Sequence, residues 1–194
     1  DMPYQLPSGV TISSGEFSNT IDMALARSDW AGFAQRQQAS AQKGLLRGRG
    51  IGFYVESSGG GPEEEAEISV AEDGRIDVVV GTFSHGQGHR TTYAQILSET
   101  LGVDFEAINI IQGDTDVVAF GGGTGGSRSS QMGGVAVQRA GHALVDEAKT
   151  IAAELLQTPV AQVNYADGFF SAKNTEAQVS LQQVAEASQQ PQFG

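Results

Sequence analysis

The chain has 194 residues, with 23 acidic against 11 basic side chains and a formal net charge of −12, a balance that argues against a nucleic-acid partner because phosphate backbones are held mainly by Lys and Arg. It contains no cysteine, which excludes disulfides, thiolate nucleophiles and Cys-ligated zinc or iron–sulfur groups within it. No stretch reaches the ~20 apolar residues of a membrane span, whereas the 26 glycines, about 13% of the chain, far exceed the usual ~7%.

Residues 1–16, punctuated by Pro3, Pro7, Gly9 and Gly15, read as extended or irregular, and no secretory leader pattern follows Asp1, so the expected location is the cytoplasm. The spacing of Phe17, Ile21, Met23, Ala24, Ala26 and Trp30 predicts a helix, and the Ala/Gln/Arg-rich stretch from Ala31 to about Lys43 a second, largely solvated one. Gly50–Ser57 has strand character, and Gly59–Pro62 breaks it. Ala66–Ala71 alternates with period two and Arg75–Val80 is its return strand, with Asp73-Gly74 a two-residue hairpin signal. A helix is predicted from His89 to about Leu101, stopped by Gly102, and a strand over Ala107–Gln112. A long Ala/Val/Leu-rich helix runs from about Gln131 to Leu156, Val163–Ala172 forms a hairpin around Asp167-Gly168, and Leu181–Ala187 is a final short helix. Helices and hairpins alternate without a repeated βαβ rhythm, so the fold class is α+β. Two segments are expected: an extended and helical N-terminal part, 1–48, and a domain over 49–194.

The unusual chemistry sits in two glycine-rich loops, each entering a helix. The first runs Gly81-Thr82-Phe83-Ser84-His85-Gly86-Gln87-Gly88-His89-Arg90-Thr91-Thr92. Free N–H groups and the dipole at a helix start favour an anion. Gly86 and Gly88 let the main chain approach that ligand, and Gln87 offers both a carbonyl and an amide to a heterocycle. The dinucleotide fingerprint fails, because Thr91 stands where the third glycine belongs. The second loop, Phe120 to Gln131, holds five glycines between Gly121 and Gly126, more than capping requires. Its Ser127, Ser129 and Ser130 are natural N-caps and hydroxyl donors for phosphate oxygens, and Arg128 adds one cation.

Rival readings are weaker. Gly125-Gly126-Ser127-Arg128-Ser129 misses the last glycine of a nucleophile elbow. His85 and His89 are separated by glycines and lack a third ligand, so a zinc site is not expected. Asp114-Thr115-Asp116 reads as turn chemistry, Glu63-Glu64-Glu65 as a solvated edge, and His142 as a structural residue of the long helix.

The segments GIGFYVESSGGG, GTFSHGQGHRTTYAQILSETLGV and IIQGDTDVVAFGGGTGGSRSSQMGG, in this order, resemble the large subunits of molybdenum hydroxylases, the carbon monoxide dehydrogenase type above all. The N-terminal MPYQLPSGVTISSGEFSNTIDMALARSDWAGFAQRQ shares the likeness, which thus covers most of the chain. The resemblance implies a two-layer α+β molybdopterin-binding domain with a mixed sheet and packed helices. It implies a molybdopterin cofactor with molybdenum, as its cytosine dinucleotide, contacted by Gly86, Gln87, Gly88 and His89 of the first loop and by Thr124, Gly126, Ser127, Arg128, Ser129 and Ser130 of the second. It also implies partners: the remaining domains of a large subunit, an iron–sulfur subunit and a flavin subunit. Two positions depart from the family pattern. Arg90 stands where many relatives carry Glu, and Gly125 replaces a residue that is commonly larger.

No G-x-G-E-like motif, which in the family carries the catalytic Glu, follows Gly134, and the family's substrate-facing loop is not present either. The expectation is therefore a cofactor-binding portion of an oxidoreductase that hydroxylates an aldehyde or heterocycle with water oxygen, or oxidises CO. It would carry no catalytic residue or metal ligand of its own, would not be active alone, and would bind cofactor weakly or not at all when isolated. The alternative is a non-catalytic module of the same fold that serves subunit assembly.

Overall fold

The computed structural model describes residues 2–56, 58–59, 63–173 and 175–189. The chain divides into two units, Asp1–Tyr54 and Val55–Gly194.

In the first unit, the Pro- and Gly-punctuated start holds a short antiparallel ladder of β1 (Tyr4–Gln5) and β2 (Thr11–Ile12) that the sequence reading did not anticipate. Helices α1 (Phe17–Arg27) and α2 (Phe33–Ala41) form where the spacing places them, and between them Ser40 alone is buried. The Arg49 guanidinium lies 4.1 Å from the Trp30 ring centre and 4.5 Å from that of Phe33, and Asp29 pairs with Arg36. The strand expected over Gly50–Ser57 is not formed in residues 50–56, and Ser57 lies outside the described residues. Ile51, Phe53, Tyr54 and Val55 are at least half exposed. A strand needs a neighbour to take its N–H and C=O groups, and alternation of side chains does not supply one.

The second unit holds a mixed sheet of β3 (Ala66–Val70), β4 (Ile76–Val80) and β5 (Ile108–Ile111), in that spatial order. β3 and β4 are antiparallel, β4 and β5 parallel. The parallel pair requires a crossover, made by α3 (His89–Leu101), which ends at Gly102 in the left-handed conformation (φ +63°). One βαβ unit therefore stands inside the α+β fold. The β3–β4 connection corrects the two-residue reading of Asp73-Gly74. Ala71 N donates to Arg75 O at 2.8 Å and Gly74 N to Ala71 O at 2.9 Å, which gives a three-residue loop with Gly74 at φ +83°.

Helix α4 (Gly134–Leu155) is preceded by a π-helical turn over Ser129–Gly133. β6 (Val163–Ala166) and β7 (Phe169–Ala172) form the expected hairpin, and here Asp167-Gly168 is the two-residue turn, with φ +49° and +81°. β8 (Gln178–Ser180), unread in the sequence, adds an edge to this second sheet. It leads into α5 (Leu181–Ser188), which opens on a capping box of Ser180 and Gln183.

The core joins the inner face of β4 (Ile76, Val78, Val80) to Tyr93, Leu97 and Leu101 of α3 and to Val137, Val145 and Ala152 of α4, all under 9% exposed. Helices on a mixed sheet make the two-layer α+β arrangement expected. At ~25 cal/mol per Å2, each buried aliphatic side chain here contributes about 1.5–3 kcal/mol. α3 and α4 approach at Gly141, where a Cβ would stand 2.8 Å from Leu97.

Candidate functional site

Both glycine loops leave the same layer of the second unit, and they meet. The first follows β4 and enters α3; the second enters the π-helical turn and α4. Their contact is main chain on main chain. A Cβ on Gly81 would collide with the Cα of Gly121 and with Phe120 O, and one on Gly121 would collide with the backbone of Gly81. Hydrogen bonds lock this junction. Thr124 Oγ1 donates to Phe83 O at 2.6 Å. The Tyr93 phenol donates to Ser129 O at 2.9 Å, so the 2.6 Å contact between Thr82 Oγ1 and Tyr93 Oη is donated by threonine. Burial holds the Tyr93 phenol above its ordinary pKa of 10.0, and the Glu64 carboxylate adds to that.

Glu64 corrects the reading of Glu63-Glu64-Glu65 as a solvated edge. Glu63 and Glu65 are exposed, but the Glu64 side chain is fully buried and forms an ion pair with Arg128, itself buried. Glu64 also accepts from Gly122 N at 3.4 Å, and Arg128 donates to Gly123 O at 3.1 Å. The second loop is thus pinned from inside by a charge pair that links it to the entry of β3. The Arg128 guanidinium faces this pair as well as the loop, where the sequence placed it simply as a cation toward the ligand.

The rims of the loops differ from this junction. Nothing lies within 4 Å of where a Cβ would sit on Gly86 or Gly88, although their φ values of +107° and +77° require glycine. Gln87 turns its carbonyl inward: Oε1 accepts from His85 N and from Ser84 Oγ at 3.4 Å, which leaves its amide for other partners. Thr92 N makes the first helical bond of α3, to Gly88 O at 3.1 Å, and among the described residues the N–H groups of Gly88, His89, Arg90 and Thr91 meet no acceptor. His89 is 6% exposed with Nδ1 unpartnered, and Gln112 Oε1 is buried without a partner too.

In the second loop the serines do not act as side-chain caps, contrary to the sequence reading. Neither the π-helical turn nor α4 has a side-chain cap, and the turn opens with Met132 N donating to Arg128 O at 2.7 Å. Ser129 Oγ lies 3.4 Å from Thr124 Oγ1. Ser127, at φ +50°, and Ser130 are exposed. The structure therefore brings all ten sequence-proposed residues onto two adjoining loops, with Arg128 inside and the remainder at or near the rim. Sequence reasoning missed Glu64, Thr82 and Tyr93. Tyr93 carried a signal, a hydroxyl on the buried stripe of a helix; Glu64 carried none that set it apart from its two neighbours.

His85 stacks on Phe83 (4.4 Å between ring centres) and His89 on Tyr93 (5.5 Å). Among the described residues no three His, Asp or Glu side chains gather as metal ligands.

The family "Molybdopterin cofactor-binding domain" matches residues 23–193. The nicotine 6-hydroxylase large subunit of Paenarthrobacter nicotinovorans is 32% identical over 200 residues, covering 96% of this chain and 24% of that protein. The carbon monoxide dehydrogenase large chain of Afipia carboxidovorans is 34% identical over 175 residues, covering 80% of this chain and 21% of that one. Among solved structures, a Cu,Mo-CO dehydrogenase superposes with a TM-score of 0.66 at 31% identity, over 96% of this chain and 26% of its own. Quinoline 2-oxidoreductase from Pseudomonas putida 86, at 24% identity and a TM-score of 0.61, shares the fold over 100% of this chain and 27% of its own. The chain spans about a quarter of the length of these relatives.

Proposed function

The chain belongs to the molybdopterin cofactor-binding domain family, and from that premise we propose that its two glycine loops hold a molybdopterin, as the cytosine dinucleotide, within the large subunit of a molybdenum hydroxylase. The observation that carries this reading is the backbone contact of Gly81 with Gly121. It joins the first loop, whose main-chain donors at the start of α3 have no protein partner, to the hydroxyl-rich second loop in one surface. The donor set fits the group. Open backbone at Gly86 and Gly88 admits a close ligand, the free N–H groups at the start of α3 suit phosphate oxygens, and the Gln87 amide and the hydroxyls of Thr124, Ser127, Ser129 and Ser130 suit a mixed donor–acceptor heterocycle. His89 offers a ring nitrogen with no protein partner. Gly126 gives the second loop its turn, and Arg128, held by Glu64, shapes that loop.

When bound, the cofactor supplies the redox chemistry. The residues of this chain orient it and satisfy its polar groups. The binding work falls to segment 49–194. The reaction class is hydroxylation of an aldehyde or heterocycle with water oxygen, or oxidation of CO, carried out with the rest of the large subunit and with iron–sulfur and flavin subunits. No helix among the described residues is long and apolar enough to cross a membrane, and a cytoplasmic location is part of the same proposal. Isolated, the chain holds the cofactor weakly, since contacts from other parts of the subunit are missing.

The test is the intact subunit carrying Gln87→Ala or Ser127→Ala, assayed for molybdenum and pterin per chain beside its melting temperature. Occupancy falls in both variants at unchanged melting temperature. Full occupancy in both would remove the assignment.

A further inference from the structure

Tyr93 lies on the buried stripe of α3, yet its hydroxyl reaches the entry of α4, where it donates to Ser129 O at 2.9 Å. The same carbonyl accepts from Gly134 N, five residues on, where an α-helix would use Gly133 N, four residues on. Gly133 is the residue that the hydroxyl crowds. A Cβ there would stand 2.5 Å from Tyr93 Oη and 3.2 Å from Thr82 Oγ1. Its φ of −65° suits any residue, so close approach, and not backbone conformation, calls for glycine. A side chain that inserts into the hydrogen-bond ladder of a helix distorts it locally, and here the phenol stands where the turn takes in its extra residue. Without that extra residue, the residues before the turn would rotate by about 100° around the axis of α4, one step of a 3.6-residue turn. Those residues include Ser129, half-buried beside Thr124, and Ser130, exposed at the rim.

We propose that Tyr93 is a positioning residue: its hydroxyl holds the entry of α4 in the widened turn and so sets the direction in which Ser129 and Ser130 face the ligand. The proposal rests on the reading of the second loop as a cofactor contact and adds to it the buried group that fixes the geometry of that loop. Tyr93 acts through the turn and does not touch the ligand. Thr82, which donates to Tyr93 Oη at 2.6 Å from the end of β4, steadies the phenol from the other side but makes no bond to the turn. The two hydroxyls therefore differ in kind, although both are buried and each makes a hydrogen bond at the same junction.

The experiment has two readouts. In the isotope-labelled 194-residue chain, NMR couplings across hydrogen bonds report which amide donates to Ser129 O; in the intact subunit, molybdenum and pterin are counted per chain. The parent chain shows the coupling from Gly134 N. Tyr93→Phe keeps the ring in the core, moves the coupling to Gly133 N and lowers occupancy several-fold. Thr82→Val is the matched control. It also removes one buried hydrogen bond, so the two variants lose similar stability, but its coupling stays at Gly134 N and its occupancy stays full. Gly133→Ala, which sets a methyl group against the hydroxyl, lowers occupancy with tyrosine in place. A merely structural tyrosine would make occupancy follow melting temperature alike in Tyr93→Phe and Thr82→Val, and that result overturns the proposal. So does a coupling that stays at Gly134 N in Tyr93→Phe, or one that moves while occupancy holds. Either of these, beside Gln87→Ala and Ser127→Ala subunits that lose their cofactor, spares the functional reading. Full occupancy in Gln87→Ala and Ser127→Ala removes that reading, and the coupling still decides whether Tyr93 sets the turn.

Discussion

Gly81 and Gly121 press on each other so closely that neither accepts a methyl group, whereas Gly86 and Gly88, in the same loop as Gly81, face open space. The first pair sits in a junction where Thr82, Tyr93 and Ser129 exchange hydrogen bonds and Glu64 meets Arg128. The second sits on a rim where main-chain N–H groups and the His89 ring nitrogen go unpaired. One composition thus does two jobs. Inner glycines let two strand-to-helix turns touch, and outer glycines leave a backbone surface for something else to touch. Main-chain donors without a protein partner gather at the first turn of α3, whereas at the junction Gly122 N finds Glu64, and this difference separates a binding surface from its support.

Substitutions sharpen that contrast. Glu64→Ala strands Arg128 in the interior, so the largest loss is expected there, about 3–5 kcal/mol, read as a fall in the denaturation midpoint. Gly121→Ala inserts a methyl group between two backbones and costs about 1–3 kcal/mol; thermal melting with no loss would break the claim that the junction is tightly packed. The two phenols give a smaller, pH-dependent effect. Burial raises the pKa of Tyr93 above its ordinary value and that of Tyr165 to about 12. Their contribution is complete below the unfolded pKa of about 10 and is lost as pH rises through the folded value. Stability therefore declines between pH 10 and about 12, and Tyr165→Phe flattens part of that decline. Ser130→Ala, on the rim, changes stability by about 0.5 kcal/mol at most while lowering cofactor occupancy of the intact subunit.

What the sequence made legible was local. Gly102 stopping α3 and Asp167-Gly168 turning β6 into β7 are decided by which residues accept positive φ. The same logic overreached at Asp73-Gly74, where the strand register makes the loop one residue longer. Non-local facts stayed hidden. Residues 50–56 alternate like a strand yet pair with nothing described. Which glutamate of three turns inward depends on Arg128, far along the chain. The two loops were each readable as ligand-seeking, since helix starts and glycine density are written in consecutive residues. Their meeting at Gly81 and Gly121 was not, because contact between distant segments is a property of the packed layers.

The most direct measurement is the structure of the intact subunit with its cofactor bound. Ligand atoms within hydrogen-bonding distance of both the first turn of α3 and the Ser127–Ser130 segment are the predicted result. A cofactor seated away from both loops would contradict the account.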